Sequence, residues 1–177
     1  MKRAAFLDRD GVLNPPEERG GRRRAPLSLD AFRPYPRAAA SVAALRRAGL
    51  LCLVVTNQPD VAAGELDPAT LDAMHEKLVR EVGVDAVYVC PHRDVDLCEC
   101  RKPRPGLLLE AAADWGVDLT ASFLVGDRWR DIVAGRAAGC LTILVTGPDS
   151  DGARPDYRAG DLEAAARTIL TLTGERP

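Results

Sequence analysis

AAFLDRDGVLN, residues 4–14, is the stretch on which the reading of this chain turns. Ala4 to Leu7 form a short apolar run that reads as a buried strand ending at Asp8. A strand continuing through Asp8 and Asp10 points both carboxylates to one face. Two such groups repel unless a cation or a proton lies between them. Gly11 lets the chain turn sharply away. The Asp-x-Asp-Gly spacing also opens a calcium loop, but that loop needs a glutamate at its twelfth position. Counted from Asp8, that position is Arg19, so calcium is rejected. What remains is either a polar strand-to-loop turn or a cation site at a strand end.

Beyond this stretch, short apolar runs alternate with longer amphipathic ones. Leu50–Val55, Asp85–Val89, Ser122–Val125 and Leu141–Val145 read as further strands, with a brief sixth near Asp156–Arg158. Helices are expected over Ala38–Ala48, Pro68–Val82, Gly106–Trp115, Ile132–Ala138 and Leu162–Leu172. Asp67 suits the N-cap of the second, with Pro68 in its first turn. Continuous apolar strands alternating with helices predict an α/β fold. The expected form is a parallel sheet of about five to six strands, covered by helices on both faces. In such sheets ligands bind beyond the carboxyl ends of the strands. Four expected strand ends carry polar residues: Asp8-Arg-Asp10, Thr56-Asn-Gln58, the segment from Cys90, and Gly126-Asp127.

Each of these groups has a bland and a chemical reading. A hydroxyl at Thr56 caps a turn or holds a phosphate oxygen. Lys102 is a surface cation or the neutraliser of a phosphate or an aspartyl phosphate. Asp127 at a strand end suits Mg²⁺, which takes one or two carboxylates, waters and a substrate phosphate. Asp131, four residues on, supports that site or pairs with a neighbouring arginine. His75, on an expected helix, is a surface or packing residue. The run Arg19–Arg24 reads as a solvated loop.

The segment CPHRDVDLCEC, residues 90–100, holds three of the five cysteines and one of the two histidines. Cys90, His92, Cys98 and Cys100 make a full tetrahedral set for Zn²⁺, with no open position, hence a structural site. A disulfide between Cys98 and Cys100 is disfavoured by their short separation. The redox pair Cys-x-x-Cys is absent. Cys52 and Cys140 read as core residues.

Composition sets the outer limits. The 177 residues suit one domain, and 46% hydrophobic with 28% charged residues is a globular composition. A net charge of −2 offers no general attraction to nucleic acid or an anionic membrane. No run approaches the roughly 18 apolar residues of a membrane span, and the N-terminus lacks a signal-peptide core. A cytoplasmic, monomeric protein is the expectation, in a compartment that keeps thiols reduced.

In order along the chain, LDRDGVLN, VVTNQPD, CRKP and LVGDRWRD resemble the motifs of haloacid dehalogenase-like (HAD) phosphatases, and the resemblance spans nearly the whole chain. It implies a Rossmann-like fold without a large cap domain, residues 1–177 forming a single domain. It implies that Asp8 attacks phosphorus and that Asp10 serves as acid and then base. Thr56 and Lys102 would hold the phosphoryl oxygens. Asp8, the Asp10 carbonyl and Asp127 would hold Mg²⁺, with Asp131 in support. A zinc loop directly before CRKP is similar to that of the heptose 1,7-bisphosphate 7-phosphatases and histidinol-phosphate phosphatases, which again implies Cys90, His92, Cys98 and Cys100. Asn57, Gln58, Arg101 and Arg128 are the candidate substrate contacts. The expected partner is a small phosphorylated metabolite, a sugar bisphosphate first and histidinol phosphate second. Pro59-Asp60 replaces the Ser-Gly of the heptose pattern, Ala63 replaces its arginine, and Arg19–Arg24 has no counterpart. Two rivals are weaker. A phospho-acceptor signalling domain would carry an aspartate at the end of its third strand, where this chain has Cys90. A zinc-bearing interaction module would not need every catalytic position filled.

Overall fold

A computed structural model describes residues 1–147 and 152–174. β1 (Arg3–Leu7) is the first strand. A hairpin follows, β2 (Glu17–Arg19) and β3 (Arg22–Arg24). The chain continues through α1 (Ala38–Arg47), β4 (Leu50–Asn57), α2 (Pro68–Val82), β5 (Ala86–Cys90), α3 (Gly106–Trp115), β6 (Phe123–Gly126), α4 (Trp129–Ala138), β7 (Leu141–Val145), β8 (Tyr157–Ala159) and α5 (Leu162–Leu172). Six strands form one parallel sheet in the order β5-β4-β1-β6-β7-β8. β1 sits in the middle because the chain winds outward from it in one direction, then crosses back and winds out in the other. This is the doubly wound order, and the order reverses between β1 and β6.

Alternation along the strands supplies both cores. Ala5 and Leu7 pack with Val42 and Leu45 of α1, Met74 and Leu78 of α2, and Ile169 of α5. Ala4 and Phe6 face the other way, onto Leu107 and Ala111 of α3 and Ala134 of α4. Both faces are covered, so the strands read as unbroken apolar runs.

Local signals place several element ends. Asp67 caps α2 by accepting from the Thr70 N–H at 3.0 Å, and Gly83 closes it in a left-handed conformation. α4 starts at Trp129 rather than Ile132, because Asp131 accepts from the Arg128 N–H at 3.0 Å and so caps the helix it belongs to.

Arg19–Arg24 is not a solvated loop. It forms the β2–β3 hairpin, turned at Gly20-Gly21, both with positive φ, as a two-residue hairpin turn requires. Arg19 anchors it to the loop after β4 through Asp60, at 2.7 Å. No helix among the described residues is long and apolar enough to cross a membrane.

Candidate active site

The carboxyl ends of β4, β1 and β6 lie side by side, and beyond them opens a cleft of about 460 Å³. Asp8, Asp10, Thr56, Asn57, Arg101, Lys102, Arg128 and Asp131 all line it. Residues up to 123 positions apart thus meet where the strand order reverses.

Lys102 is the hub. Its ammonium lies 2.9 Å from Asp8 Oδ1 and 2.5 Å from Asp131 Oδ1, and donates to the Val55 carbonyl at 2.8 Å. Those three partners use all three of its protons. Burial alone would lower its pKa, but Asp131 and Asp8 outweigh burial and hold it above the ordinary lysine value. The side chain is 2% exposed, so this cation is fixed rather than mobile. Asn57 sets its backbone. The Asn57 Oδ1 accepts from the Lys102 N–H at 3.1 Å, and its Nδ2 donates to the Lys102 carbonyl at 3.0 Å.

Asp8, Asp127 and Asp131 form an acidic cluster whose oxygens can all lie within 4.8 Å of one another. Burial is the main cause that pushes Asp8 up to about 6, with Lys102 opposing and Asp131 and Asp10 adding. Asp127 is pushed up to about 8 by burial, then by Asp8 and Asp131. Neither Asp127 oxygen has a hydrogen bond, although both are buried. The nearest cations are Arg23, at 3.4 Å, and Arg128, at 3.9 Å. An orphaned buried carboxylate among like charges is the environment a hard divalent cation satisfies, and an all-oxygen donor set suits Mg²⁺.

Two glycines make room for this cluster. A Cβ on Gly11, which has φ +92°, would lie 2.1 Å from Asp127 Oδ2. A Cβ on Gly126 would lie 2.2 Å from the Asp131 Cβ.

Asp10 does not share the cation cluster with Asp8 through its carboxylate. β1 ends at Leu7, so the chain has left strand geometry before Asp10. The Asp10 carboxylate instead accepts from Arg9 at 2.9 and 3.1 Å, Asn14 at 2.8 Å and Gln58 at 2.8 Å. Burial would raise it, but Arg9, Asn14 and Gln58 together hold it below the usual carboxylate range. Gln58 also donates to Thr56 Oγ1 at 2.9 Å, which leaves the Thr56 O–H to point elsewhere. Gln58 is fully buried beneath Asp10 and Thr56 and does not line the cleft, so it orients the residues that do.

Sequence reasoning missed Arg9 and Asn14. Arg9 is fully buried, stacked over Phe32 and 3.1 Å from His75 Nε2. His75 is a packing residue, and burial pushes it down to about 4, so it stays neutral beside the guanidinium. A cation between two acids, and an amide four residues after the second, were the available signals.

At the end of β5, Cys90, His92, Cys98 and Cys100 gather. The Cys90–Cys98 sulfurs are 3.6 Å apart, Cys98–Cys100 3.4 Å, Cys90 to His92 Nδ1 3.6 Å and Cys100 to the same nitrogen 3.3 Å. A tetrahedron with zinc–sulfur and zinc–nitrogen bonds of ordinary length has edges of roughly 3.5–3.8 Å. The four ligands fit Zn²⁺ closely. Arg101 ties this loop to the site, pairing with Asp94 at 2.7 Å and donating to the His92 carbonyl at 3.0 Å. Arg128 donates to the Arg23 carbonyl at 2.9 Å, so it braces the hairpin.

Known proteins share this fold. A family model described as HAD-hydrolase-like matches residues 99–165. The chain belongs to the HAD-like hydrolases. Several similar relatives within that class are named heptose-1,7-bisphosphate 7-phosphatases. A D-glycero-beta-D-manno-heptose-1,7-bisphosphate 7-phosphatase of Pseudomonas aeruginosa is 40% identical over 145 residues, 79% of each chain. The D-glycero-D-manno-heptose-1,7-bisphosphate 7-phosphatase of Thermosynechococcus vestitus is 35% identical over 98% of each chain. The crystal structure of a D,D-heptose 1,7-bisphosphate phosphatase from B. bronchiseptica, complexed with magnesium and phosphate, superposes with a TM-score of 0.80. It is 35% identical and covers 97% of this chain and 99% of its own.

Proposed function

We propose that this chain is a Mg²⁺-dependent phosphomonoester hydrolase that removes the 7-phosphate of D-glycero-D-manno-heptose 1,7-bisphosphate. The observation that carries the reading is the Asp8–Lys102–Asp131 arrangement beside the orphaned Asp127, in a chain whose relatives share that name. The 177 residues act as one domain.

The chemistry follows from the residues. Asp8 attacks phosphorus; the new bond to its carboxylate oxygen forms as the bond to the sugar oxygen breaks. The departing alkoxide takes a proton from Asp10. In the second half, Asp10 takes a proton from water as that water attacks phosphorus and frees Asp8. Against burial, Arg9, Asn14 and Gln58 favour the ionised form that this second role needs, and the proton taken from water is the one given to the alkoxide of the next turnover. Lys102 and the Thr56 hydroxyl neutralise the non-bridging oxygens, the main electrostatic demand of phosphoryl transfer. Asp8, the Asp10 carbonyl and Asp127 would hold the Mg²⁺, with Asp131 in support; bound there, the ion would supply positive charge at the transferring phosphoryl group.

Zn²⁺ held by Cys90, His92, Cys98 and Cys100 is structural. Bound there, it would hold together a polar loop with little core of its own, from which Arg101 and Lys102 lead into the cleft. Turnover of both heptose 1,7-bisphosphate anomers and histidinol phosphate by the purified protein tests the substrate. Hydrolysis of histidinol phosphate alone would overturn the heptose assignment.

A further inference from the structure

The β2–β3 hairpin brings Arg22, Arg23 and Arg24 to the cleft, and all three residues line it. Side chains alternate along a strand, so Arg23 projects to one side and Arg22 and Arg24 to the other. Arg23 reaches inward, its Nη1 3.4 Å from Asp127 Oδ2. Arg24 is held loosely, 3.9 Å from Asp60 and 3.5 Å from Glu65. Arg22 is exposed and makes no ion pair with any described residue. A cleft mouth thus carries one uncommitted guanidinium and one weakly engaged one, two residues apart.

The hairpin is also tethered. Arg19 binds Asp60 at 2.7 Å, and that carboxylate is largely buried. Arg19 donates to the Ala25 carbonyl at 2.8 Å as well, closing the base of the hairpin. Two short strands with little apolar surface do not hold a position unaided. Asp60 supplies an anchor on the side of the loop after β4, and Arg128 braces the other strand.

We propose that Arg22 and Arg24 form the subsite for a second anionic group of the substrate, the phosphate that is not cleaved, and that Asp60 positions the hairpin through Arg19. The inference rests on the phosphatase reading above. The two arginine forks suit a dianionic phosphate, to which a guanidinium bonds in bidentate fashion. Cleavage occurs at Asp8; the hairpin selects which phosphoester is presented there.

The test compares heptose 1,7-bisphosphate with heptose 7-phosphate on the wild type, Arg22→Ala/Arg24→Ala and Asp60→Ser. In the double variant the KM for the bisphosphate rises about tenfold or more beyond any rise for the monophosphate, while kcat for both changes far less. Asp60→Ser moves the same ratio in the same direction by a smaller factor. Arg22→Lys/Arg24→Lys, which keeps the charge and loses the fork, recovers part of the preference. Equal changes for the two substrates, or none, would overturn the subsite. Calorimetric binding of both sugars to the Asp8→Asn protein reads the subsite without turnover. A wild type that hydrolyses neither sugar, paired with an Asp8→Asn protein that still prefers the bisphosphate, overturns the proposed activity and leaves the subsite standing. An Asp8→Asn protein without that preference overturns the subsite whatever the turnover.

Discussion

Replacing Asp127 by asparagine should change how the stability of the Mg²⁺-free protein depends on pH. Burial, then Asp8 and Asp131, push this carboxyl up to about 8, against 3.8 for a free one. The folded protein therefore holds a proton that the unfolded chain has released. The stability this contributes is complete below the unfolded value and is lost as pH rises through 8. Two other groups titrate nearby. Asp8, pushed up to about 6 chiefly by burial, has largely lost its proton by pH 7. His75, pushed down to about 4 chiefly by burial, acts in the opposite sense, and most of its effect is complete above the free imidazole value of 6.5. The interval from pH 7 to 8 isolates Asp127. One proton held only by the folded state gives a slope of about −1.4 kcal/mol per pH unit. With Asp127 partly titrated near 8, the loss over that interval is about 1 kcal/mol, or about 2–4 °C in Tm for a chain of this size. Asparagine keeps the shape and abolishes the titration. Thermal melts followed by circular dichroism, on zinc-loaded protein dialysed free of Mg²⁺, should show the wild-type Tm falling between pH 7 and 8 and the variant holding level. Mg²⁺ should raise the wild-type Tm and leave the variant unmoved. Parallel pH curves for the two proteins would refute the picture of a desolvated Asp127 awaiting a cation.

Asp8→Asn should lower turnover by on the order of 10⁴-fold or more while leaving zinc content and the circular dichroism spectrum unchanged; undiminished turnover sinks the nucleophile assignment. Gly11→Ala sets a Cβ 2.1 Å from Asp127 Oδ2 at a φ of +92°, so the carboxylate must move. A displacement of about 1 Å should cost roughly 100-fold in kcat/KM and weaken Mg²⁺ binding in titration; wild-type Mg²⁺ affinity would show that the contact is relieved elsewhere. Chelating zinc should remove hydrogen-exchange protection across residues 90–102 and reduce activity, with both restored by Zn²⁺ alone; an ordered, fully active zinc-free protein would contradict the positioning role given to the loop.

The fold was legible because its signals are local. A helix cap such as Asp67 acts within one turn, and apolar runs of four or five residues mark parallel strands whatever their partners. The hairpin was not legible as such: charge along Arg19–Arg24 suggests solvent, and only the tie to Asp60, 41 residues away, shows where the segment lies. The same limit hid Arg9. A buried guanidinium is tolerable only with partners, and those are Asp10 next door, Phe32 and His75, the last 66 positions away.

Within the candidate site, Asp8, Thr56, Lys102 and Asp127 stood out because polar groups at the ends of apolar strands must collect at one edge of a parallel sheet. Their division of labour did not stand out. Asp8 and Asp10 look equivalent in the sequence, yet Asp8 meets Lys102 and Asp131, whereas Asp10 meets Arg9, Asn14 and Gln58. Gln58 looks like a cleft residue and is a buried support.

The sequence by itself therefore determined the helices and the strands of the main sheet, that this sheet is parallel and covered on both faces, and which residues arrive at its carboxyl edge, because those follow from periodicity and chain direction. Only the tertiary structure decided which charges neutralise each other, which carboxylate is left orphaned and which arginines face the cleft, because each depends on distances between segments that no local spacing encodes.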